Sequence, residues 1–162
     1  MPNIIAKPPT RVVLDTNIIM DMLHFGDPRT AALREAVAGR RVQCFSDTRC
    51  LAELERVAAY PQFRLRDDEQ RALLLTYRGI VTQCEPENDS VAPTLPRCRD
   101  ADDQKFLELA ARCGAWMLVT RDEELLRLAR PRRVPAPFAI VNADDAGRLL
   151  LELAPEDPAH RV

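Results

Sequence analysis

The chain has 162 residues and a formal net charge of −2; 46% of its residues are hydrophobic and 30% are charged. This composition is typical of a soluble globular protein and excludes wholesale disorder. The length predicts one domain with a sizeable core, and the charge gives no overall basic field. No apolar stretch has the length of a signal peptide or approaches the roughly 18 residues of a membrane span, so we expect a cytoplasmic protein without a membrane partner.

Five cysteines are scattered singly and form no Cys-x-x-Cys pair. The sequence therefore indicates neither a disulfide framework nor a zinc site, and buried thiols are expected. The basic residues are arginines except for Lys7 and Lys105. Arginine matches phosphate with a bidentate fork, but a GC-rich genome would produce the same bias.

Apolar runs alternate with helical patterns along the chain. The predicted strands are residues 11–14, 42–45, 80–82, 116–120 and 138–141, of which the third is the weakest. The predicted helices are residues 17–25, 28–38, 48–59, 67–78, 102–113 and 121–129, with a last helix after Asn142. This alternation predicts an α/β fold whose parallel sheet is covered on both faces.

The domain boundaries follow from the proline-containing ends. Residues 1–10 are expected to be a loose N-terminal lead-in, residues 11–154 a single domain, and residues 155–162 a flexible tail. Residues 84–99 contain three prolines and predict a long loop. Loops of more than about a dozen residues inside compact domains are often functional.

Two aspartates directly follow strong predicted strands: Asp15 follows residues 11–14, and Asp122 follows residues 116–120. In a parallel sheet both strand ends lie at the same carboxyl edge, where functional groups gather. Each aspartate could instead cap the helix that comes next. The two alternatives stay open from these segments alone.

The helix predicted at residues 102–113 separates two adjacent aspartates. At about 100° per residue, Asp103 falls in line with the apolar stripe, whereas Asp102 points about 100° away from it. A carboxylate on the buried face needs a hydrogen bond, an ion pair or a cation. Asp103 is therefore either a site residue or the partner of a buried arginine, and Asp102 is explained as a solvated acid.

The helix predicted at residues 48–59 carries two glutamates on opposite flanks of its apolar stripe, Glu53 and Glu55. Each lies about 100° from the centre of the stripe, so periodicity does not choose between them. Either could equally be a surface glutamate, which is the usual position of this residue.

Other chemistries have little support in this sequence. The two histidines are His24 and His160, the glycines are spread singly, and no phosphate-binding glycine loop is present. The remaining candidates are carboxylates, and hard oxygen ligands of this kind select Mg²⁺ or Mn²⁺ rather than zinc. Several carboxylates in one pocket would also repel one another unless a cation neutralised them.

Four segments together resemble the PIN-domain family, in its order and spacing. They are Val12-Val13-Leu14-Asp15-Thr16-Asn17, Leu51-Ala52-Glu53-Leu54-Glu55-Arg56-Val57, Cys98-Arg99-Asp100-Ala101-Asp102-Asp103-Gln104-Lys105-Phe106-Leu107 and Leu118-Val119-Thr120-Arg121-Asp122. The resemblance covers roughly residues 11 to 150. It is closest to the bacterial branch of toxins from toxin–antitoxin pairs, the VapC-like ribonucleases, which carries the Cys-Arg-Asp-x-Asp-Asp run.

The resemblance implies a three-layer α/β/α sandwich with a central parallel sheet of four to five strands, and Mg²⁺- or Mn²⁺-dependent cleavage of RNA. It maps the catalytic and metal-binding carboxylates, with Glu53 chosen over Glu55, to Asp15, Glu53, Asp103 and Asp122. Asp100 is an additional candidate acid. The polar side chains that would hydrogen-bond the carboxylates are Thr16, Asn17 and Thr120.

The mechanism that follows is metal-assisted hydrolysis of a phosphodiester. Candidate contacts to the RNA backbone, each of which could also be an ordinary surface arginine, are Arg97, Arg99, Arg121 and the cluster Arg130, Arg132 and Arg133. Aromatic residues make up 5% of the chain, too few to predict base stacking. The expected partners are RNA, an antitoxin protein and a second copy of the chain.

Three alternatives remain. A phosphatase of the haloacid-dehalogenase type would also place an aspartate after its first strand, but it usually carries a second one where this chain has Asn17. A phospho-acceptor receiver domain would need a lysine after a late strand, and neither Lys7 nor Lys105 is so placed. The third alternative is a PIN-like binding module without significant catalysis.

Overall fold

The architecture is an open parallel sheet between layers of helices, seen in a computed structural model that describes residues 8–87 and 94–153. The strands are β1 Thr10–Leu14, β2 Val42–Ser46, β3 Val81–Gln83, β4 Met117–Val119 and β5 Ala139–Val141. The helices are α1 Thr16–Leu23, α2 Ala31–Ala38, α3 Thr48–Ala58, α4 Asp67–Ile80, α5 Gln104–Arg112, α6 Glu123–Leu126 and α7 Ala143–Leu153.

The sheet has the strand order β3-β2-β1-β4-β5, and all neighbouring strands are parallel. β1 is central, and its Val12 pairs with Cys44 of β2 and Met117 of β4. Central strands of a parallel sheet are buried on both faces, which is why β1 is a continuous apolar run. The predicted α/β fold with a parallel sheet of four to five strands is confirmed.

Two apolar cores lie on the two faces of the sheet. Alternation along β1 sends Val12 and Leu14 into one core and Val13 into the other. The first core is completed mainly by α1, α2, α3, α4 and α7, and the second mainly by α5 and α6. The chain therefore forms the three layers expected of an α/β/α sandwich.

Several predicted helices are shorter than expected because part of each is a 3-10 turn. These turns are Pro28–Thr30 before α2, Ala101–Asp103 before α5 and Arg127–Ala129 after α6. α1 ends at Leu23 rather than at residue 25, and α4 continues to Ile80, so the weak third strand begins one residue later than predicted. Local patterns identify a helical segment but do not separate its two hydrogen-bonding patterns.

The predicted long loop contains no helix or strand over residues 84–87 and 94–99. Its second part is held against α5 by the Gln104 side chain, which accepts from Cys98 N at 2.8 Å and donates to Pro96 O at 3.1 Å. Residues 1–7 of the predicted lead-in and the predicted tail lie outside the described residues. Within 8–87 and 94–153, no helix has the length and apolar character needed to cross a membrane.

A buried ion pair joins the end of β2 to α5. Asp47 follows β2, and its Oδ1 accepts from Cys50 N at 2.8 Å, which caps α3. Its Oδ2 lies 2.8 Å from Arg112 Nη2, and the same guanidinium donates to the carbonyl of Cys84. Because this carboxylate is 1% exposed and Arg49 approaches it only to 3.9 Å, its charge depends mainly on Arg112 for compensation.

Replacing Arg112 with methionine is expected to lower the free energy of unfolding by about 3–5 kcal/mol, because it leaves the Asp47 charge buried without its partner. The measurement is urea denaturation at pH 7. Arg148→Met is the matched control, since Arg148 pairs with Asp145 on the exposed surface of α7, where an ion pair contributes about 0–1 kcal/mol. Equal effects of the two substitutions would contradict a structural role for the Asp47 pair.

Candidate active site

The carboxyl edge of the two central strands carries the first two predicted acids. Asp15 comes directly after β1, and Thr120 and Asp122 follow the neighbouring strand β4. The Thr120 hydroxyl donates to Asp15 Oδ2 at 2.7 Å and accepts from the backbone N–H of Asp122 at 3.0 Å. Thr120 is fully buried and thereby links the ends of both strands, in the supporting position suggested by the sequence.

Asp15 occupies the N-cap position of α1, yet its side chain makes no capping hydrogen bond. It is 4% exposed, and burial is the main reason that its pKa rises from 3.8 to about 6. The charges of Glu53 and Asp122 raise this pKa further, whereas the hydrogen bond from Thr120 lowers it. Of the two alternatives left open by the sequence, helix capping does not explain the Asp15 side chain.

Asp122 is both a helix cap and a neighbour of the other acids. Its Oδ1 accepts from the backbone N–H groups of Glu124 and Leu125, at 2.8 and 3.2 Å, and so caps α6. It also lies near enough to the other acids to raise the pKa of both Asp15 and Asp103. The capping role fixes the orientation of the carboxylate and leaves Oδ2 without a hydrogen bond from the described residues.

Asp103 lies in the 3-10 turn that precedes α5 and is half-buried, whereas its neighbour Asp102 is exposed. Burial is the largest cause that raises the Asp103 pKa from 3.8 to about 7, followed by the charges of Asp15 and Asp122. Asp103 is the N-cap residue of α5 but makes no capping hydrogen bond. No arginine pairs with it among the described residues, so the buried-pair alternative does not account for it.

Glu53 lies on α3, and its side chain is 13% exposed, whereas Glu55 is exposed. One Glu53 oxygen accepts a hydrogen bond from the Thr16 hydroxyl, and the other lies 2.8 Å from Lys105 Nζ. Thr16 at the start of α1 therefore supports a carboxylate of the predicted pocket. Glu53, Asp15 and Asp122 form one cluster with Asp103, because the charge of each of them raises the pKa of Asp103.

Lys105 is the member of the site that the sequence analysis missed. Its side chain is 13% exposed and makes an ion pair with Glu53 from α5, across the pocket from α3. The sequence offered one signal, since Lys105 is one of two lysines in an arginine-rich chain and lies two residues after Asp103. Its ammonium group partly compensates the negative charge of the cluster.

Two further predicted residues have smaller roles here. Asp100 is exposed, and its side chain accepts from the Asp102 N–H at 3.0 Å, yet its charge contributes to the raised pKa of Asp103. Asn17 is half-buried on α1, and its side chain makes no hydrogen bond within the described residues. Neither residue is held against Asp15 in the way that Thr120 is.

The predicted arginine contacts divide into three groups. Arg97 and Arg99 are exposed in the segment that leads to Asp103. Arg121 Nε lies 2.9 Å from Asp21 Oδ2, so part of its guanidinium is engaged by α1. The arginines of residues 130–133 are exposed in the segment between α6 and β5.

The donor atoms around the pocket are oxygens. Cys98 lies near Asp103 and Asp122, but burial and these charges raise its pKa, which keeps the thiol neutral. Within residues 8–87 and 94–153, no three His, Cys, Asp or Glu side chains are arranged as a ready metal cage. Glu53 is turned toward Thr16 and Lys105, and Asp122 Oδ1 caps α6.

Comparisons with known proteins agree with this architecture. A family model described as the PIN domain matches residues 11–124. A chain of the crystal structure of VapBC2 from Rickettsia felis, bound to a DNA fragment from their promoter, superposes with a TM-score of 0.52 at 13% identity. The match covers 82% of this chain and 98% of that one. No curated protein sequence matches the chain at a significant level.

Proposed function

The chain belongs to the PIN-domain family, and on that premise we propose that it is a metal-dependent endoribonuclease that hydrolyses RNA phosphodiester bonds. The proposed catalytic and metal-binding residues are Asp15, Glu53, Asp103 and Asp122. One observation carries the proposal: a half-buried carboxylate, Asp103, has a pKa raised to about 7 by burial and by the charges of the other acids. Such perturbed groups are characteristic of functional sites.

The oxygen-only donor set fits Mg²⁺ or Mn²⁺. The residues that would hold the ion are the four carboxylates, with Asp100 as an outer acid. Since Lys105 compensates only part of the negative charge of the cluster, a divalent ion would relieve the remaining repulsion. Glu53 would have to turn from Lys105 to bind the ion, which requires a side-chain rotation and not a change of fold.

A bound divalent ion supplies electrostatic stabilisation of the attacking and leaving oxygens and makes a bound water more acidic. The protein residues then have separate tasks. Thr120 holds Asp15 in place, the backbone of α6 holds Asp122, and Thr16 holds Glu53. Asp103 accepts no hydrogen bond from the described residues, so its oxygens are open to accept a proton from water.

The biological role that fits best is the toxin of a toxin–antitoxin pair. The support is the similarity of fold to a chain of the VapBC2 complex, together with the Cys98-Arg99-Asp100 run of the toxin-like branch. An antitoxin protein and a second copy of the chain are the proposed protein partners. A small protein encoded next to this chain that copurifies with it and inhibits cleavage would support the role; an active nuclease with no such neighbour would contradict it.

The test is cleavage of single-stranded RNA with Mn²⁺, with Mg²⁺ and with a chelator. Glu53→Gln and Glu55→Gln form a matched pair, because both glutamates lie on α3 and only Glu53 belongs to the cluster. We expect cleavage that needs the divalent ion, is lost in Glu53→Gln and is retained in Glu55→Gln. Cleavage that survives chelation, or that is equal in both variants, would refute the proposal.

Lys105→Gln is expected to lower the Mn²⁺ concentration that gives half-maximal cleavage, by about three- to ten-fold. The substitution removes a positive charge 2.8 Å from Glu53, and a nearby like charge opposes cation binding. The measurement is a Mn²⁺ titration of the initial rate. Arg148→Gln, on the exposed surface of α7, controls for the loss of one positive charge. A higher Mn²⁺ requirement in Lys105→Gln would show that orienting Glu53 outweighs the charge.

A further inference from the structure

Four aromatic side chains meet on the surface and form what we call the aromatic patch: His24, Phe25, Tyr60 and Phe63. The first two follow the end of α1, and the other two lie just beyond α3. Their ring centroids are separated by 4.5 Å for His24–Phe25, 5.8 Å for Phe25–Phe63 and 6.3 Å for Tyr60–Phe63. Rings at such separations are in contact, so the fold gathers aromatics that are few in the sequence.

The patch has a supported base and an exposed outer surface. Phe63 packs against the first apolar core, whereas Phe25 is 54% exposed and Tyr60 is 38% exposed. The Tyr60 and Phe63 rings are nearly parallel, with an angle of 7° between them. A base inserted between the two rings would need about 7–8 Å between them, which is twice the contact distance of stacked rings. Their centroids are only 6.3 Å apart, so a base would stack on an outer face instead.

Two helices connect the patch to the carboxylates. α3 carries Glu53, ends at Ala58 and is followed by Tyr60, whose backbone is extended. α1, which packs against α3, begins at Thr16, whose hydroxyl donates to Glu53, and ends at Leu23, next to His24. The eight residues of α1 span about 12 Å. Both helices therefore lead from the carboxylates to the aromatic patch.

Positive charge lies along this face. Arg56 is three residues after Glu53 and four before Tyr60; its side chain is 62% exposed and lies 3.9 Å from Glu53 at its nearest. Arg64 directly follows Phe63, is exposed and makes no ion pair within the described residues. An arginine between a carboxylate cluster and exposed rings, with a second arginine beside the rings, matches the phosphates that separate successive bases of a nucleic acid strand.

We propose that the aromatic patch binds the bases of single-stranded RNA next to the cleavage site, with Arg56 contacting the intervening phosphate. This inference rests on the proposed ribonuclease function and names the form of its substrate. The aromatic content of the sequence gave no basis for predicting base stacking, and the grouping of the four rings in the fold supplies one. The exposed Arg56, beside Glu53 and four residues before Tyr60, favours RNA over a protein partner, because the phosphate between two bases would meet a positive charge there.

The test is binding of a fluorescently labelled single-stranded RNA of about twelve nucleotides, measured by anisotropy without divalent ions. A second RNA of the same length lacks its bases. We expect Tyr60→Ala and Phe25→Ala to weaken binding of the first RNA by about ten-fold each, the loss of one stacked base, and to leave the second unchanged. Tyr60→Phe keeps the ring and should bind as the wild type does, which controls for folding.

Trp116→Ala is the matched control, since Trp116 is an aromatic residue with 40% exposure immediately before β4 and makes no ring contact with the patch among the described residues. It should not change binding. Equal affinity of the wild type for both RNAs, no binding of either, or an unchanged affinity of Tyr60→Ala would overturn the proposal. So would a change in sedimentation of Tyr60→Ala with unchanged RNA binding, which would assign the patch to a protein interface.

Failure of this inference and failure of the proposed function are distinguishable, because the binding assay needs no cleavage. RNA cleavage that is metal-dependent in the wild type, with no effect of Tyr60→Ala on KM, refutes the patch alone. If Tyr60 mediates base-dependent binding but no metal supports cleavage, the ribonuclease function is refuted and RNA binding by the aromatic patch is retained. If both hold, Tyr60→Ala raises KM for RNA and leaves kcat unchanged.

Discussion

Replacing Asp103 with asparagine is expected to slow RNA cleavage at least about 100-fold. The change removes one of the carboxylates proposed to hold the divalent ion, whose stabilisation of charge in the transition state is worth several kcal/mol. The same substitution is expected to raise the melting temperature of the metal-free protein at pH 8 by about 2–4 °C. Burial and four neighbouring acids oppose the charged form of Asp103, and the neutral amide removes that opposition. Function and stability would therefore change in opposite directions.

Asp102→Asn is the matched control for this prediction, since Asp102 is the adjacent residue and is exposed. It should leave both the cleavage rate and the melting temperature within experimental error of the wild type. The measurements are single-turnover cleavage with saturating Mn²⁺ and thermal unfolding in a chelator. A destabilised Asp103→Asn protein would indicate a structural carboxylate, and equal losses of activity in the two variants would remove the case for Asp103.

Without divalent ions, the free energy of unfolding contributed by Asp15 is expected to fall as the pH rises. Asp15 has a pKa of about 6 in the folded protein, above its value of about 3.9 in an unfolded chain. Between these pH values the folded state holds a proton that the unfolded chain has released, so stability decreases with increasing pH. The full loss is about 2–3 kcal/mol and is complete near pH 7. Asp103, with a pKa of about 7, acts in the same direction.

Urea denaturation of the wild type and Asp15→Asn at pH 4.5 and pH 8 measures this contribution. We expect the variant to lose less stability than the wild type between the two pH values, and Mn²⁺ to restore wild-type stability at pH 8. Asp27, whose pKa is lowered to about 2 by Arg29, changes the free energy of unfolding only below this pH range. Identical pH dependence in the two proteins, or no effect of Mn²⁺, would contradict a strained carboxylate cluster.

The sequence predicted the parts of this site that depend on local pattern. Asp15 and Asp122 follow apolar runs, and parallel strands bring their ends to one edge. Helical periodicity separated Asp103 from Asp102 even though the segment is a 3-10 turn. In both the α-helix and the 3-10 helix, residues three apart lie on the same side. These inferences needed only the number of residues per helical turn and the direction of the strands.

The contacts that join distant elements could not be predicted in the same way. Lys105 and Glu53 are 52 residues apart, and periodicity gives the face of each helix but not the neighbour that it meets. The same limit applies to the aromatic patch, whose members come from the ends of α1 and α3. The choice of Glu53 over Glu55 needed the family resemblance, since both flank the same apolar stripe.

The hydrogen bond between Thr120 and Asp15 has a consequence for how protons enter the site. The Thr120 oxygen already accepts from the Asp122 N–H, so its single hydrogen points to Asp15 Oδ2. That hydrogen bond uses one of the roughly four acceptor sites of the Asp15 carboxylate. A proton and a cation would compete for the sites that remain. Acid is therefore expected to oppose metal binding at Asp15.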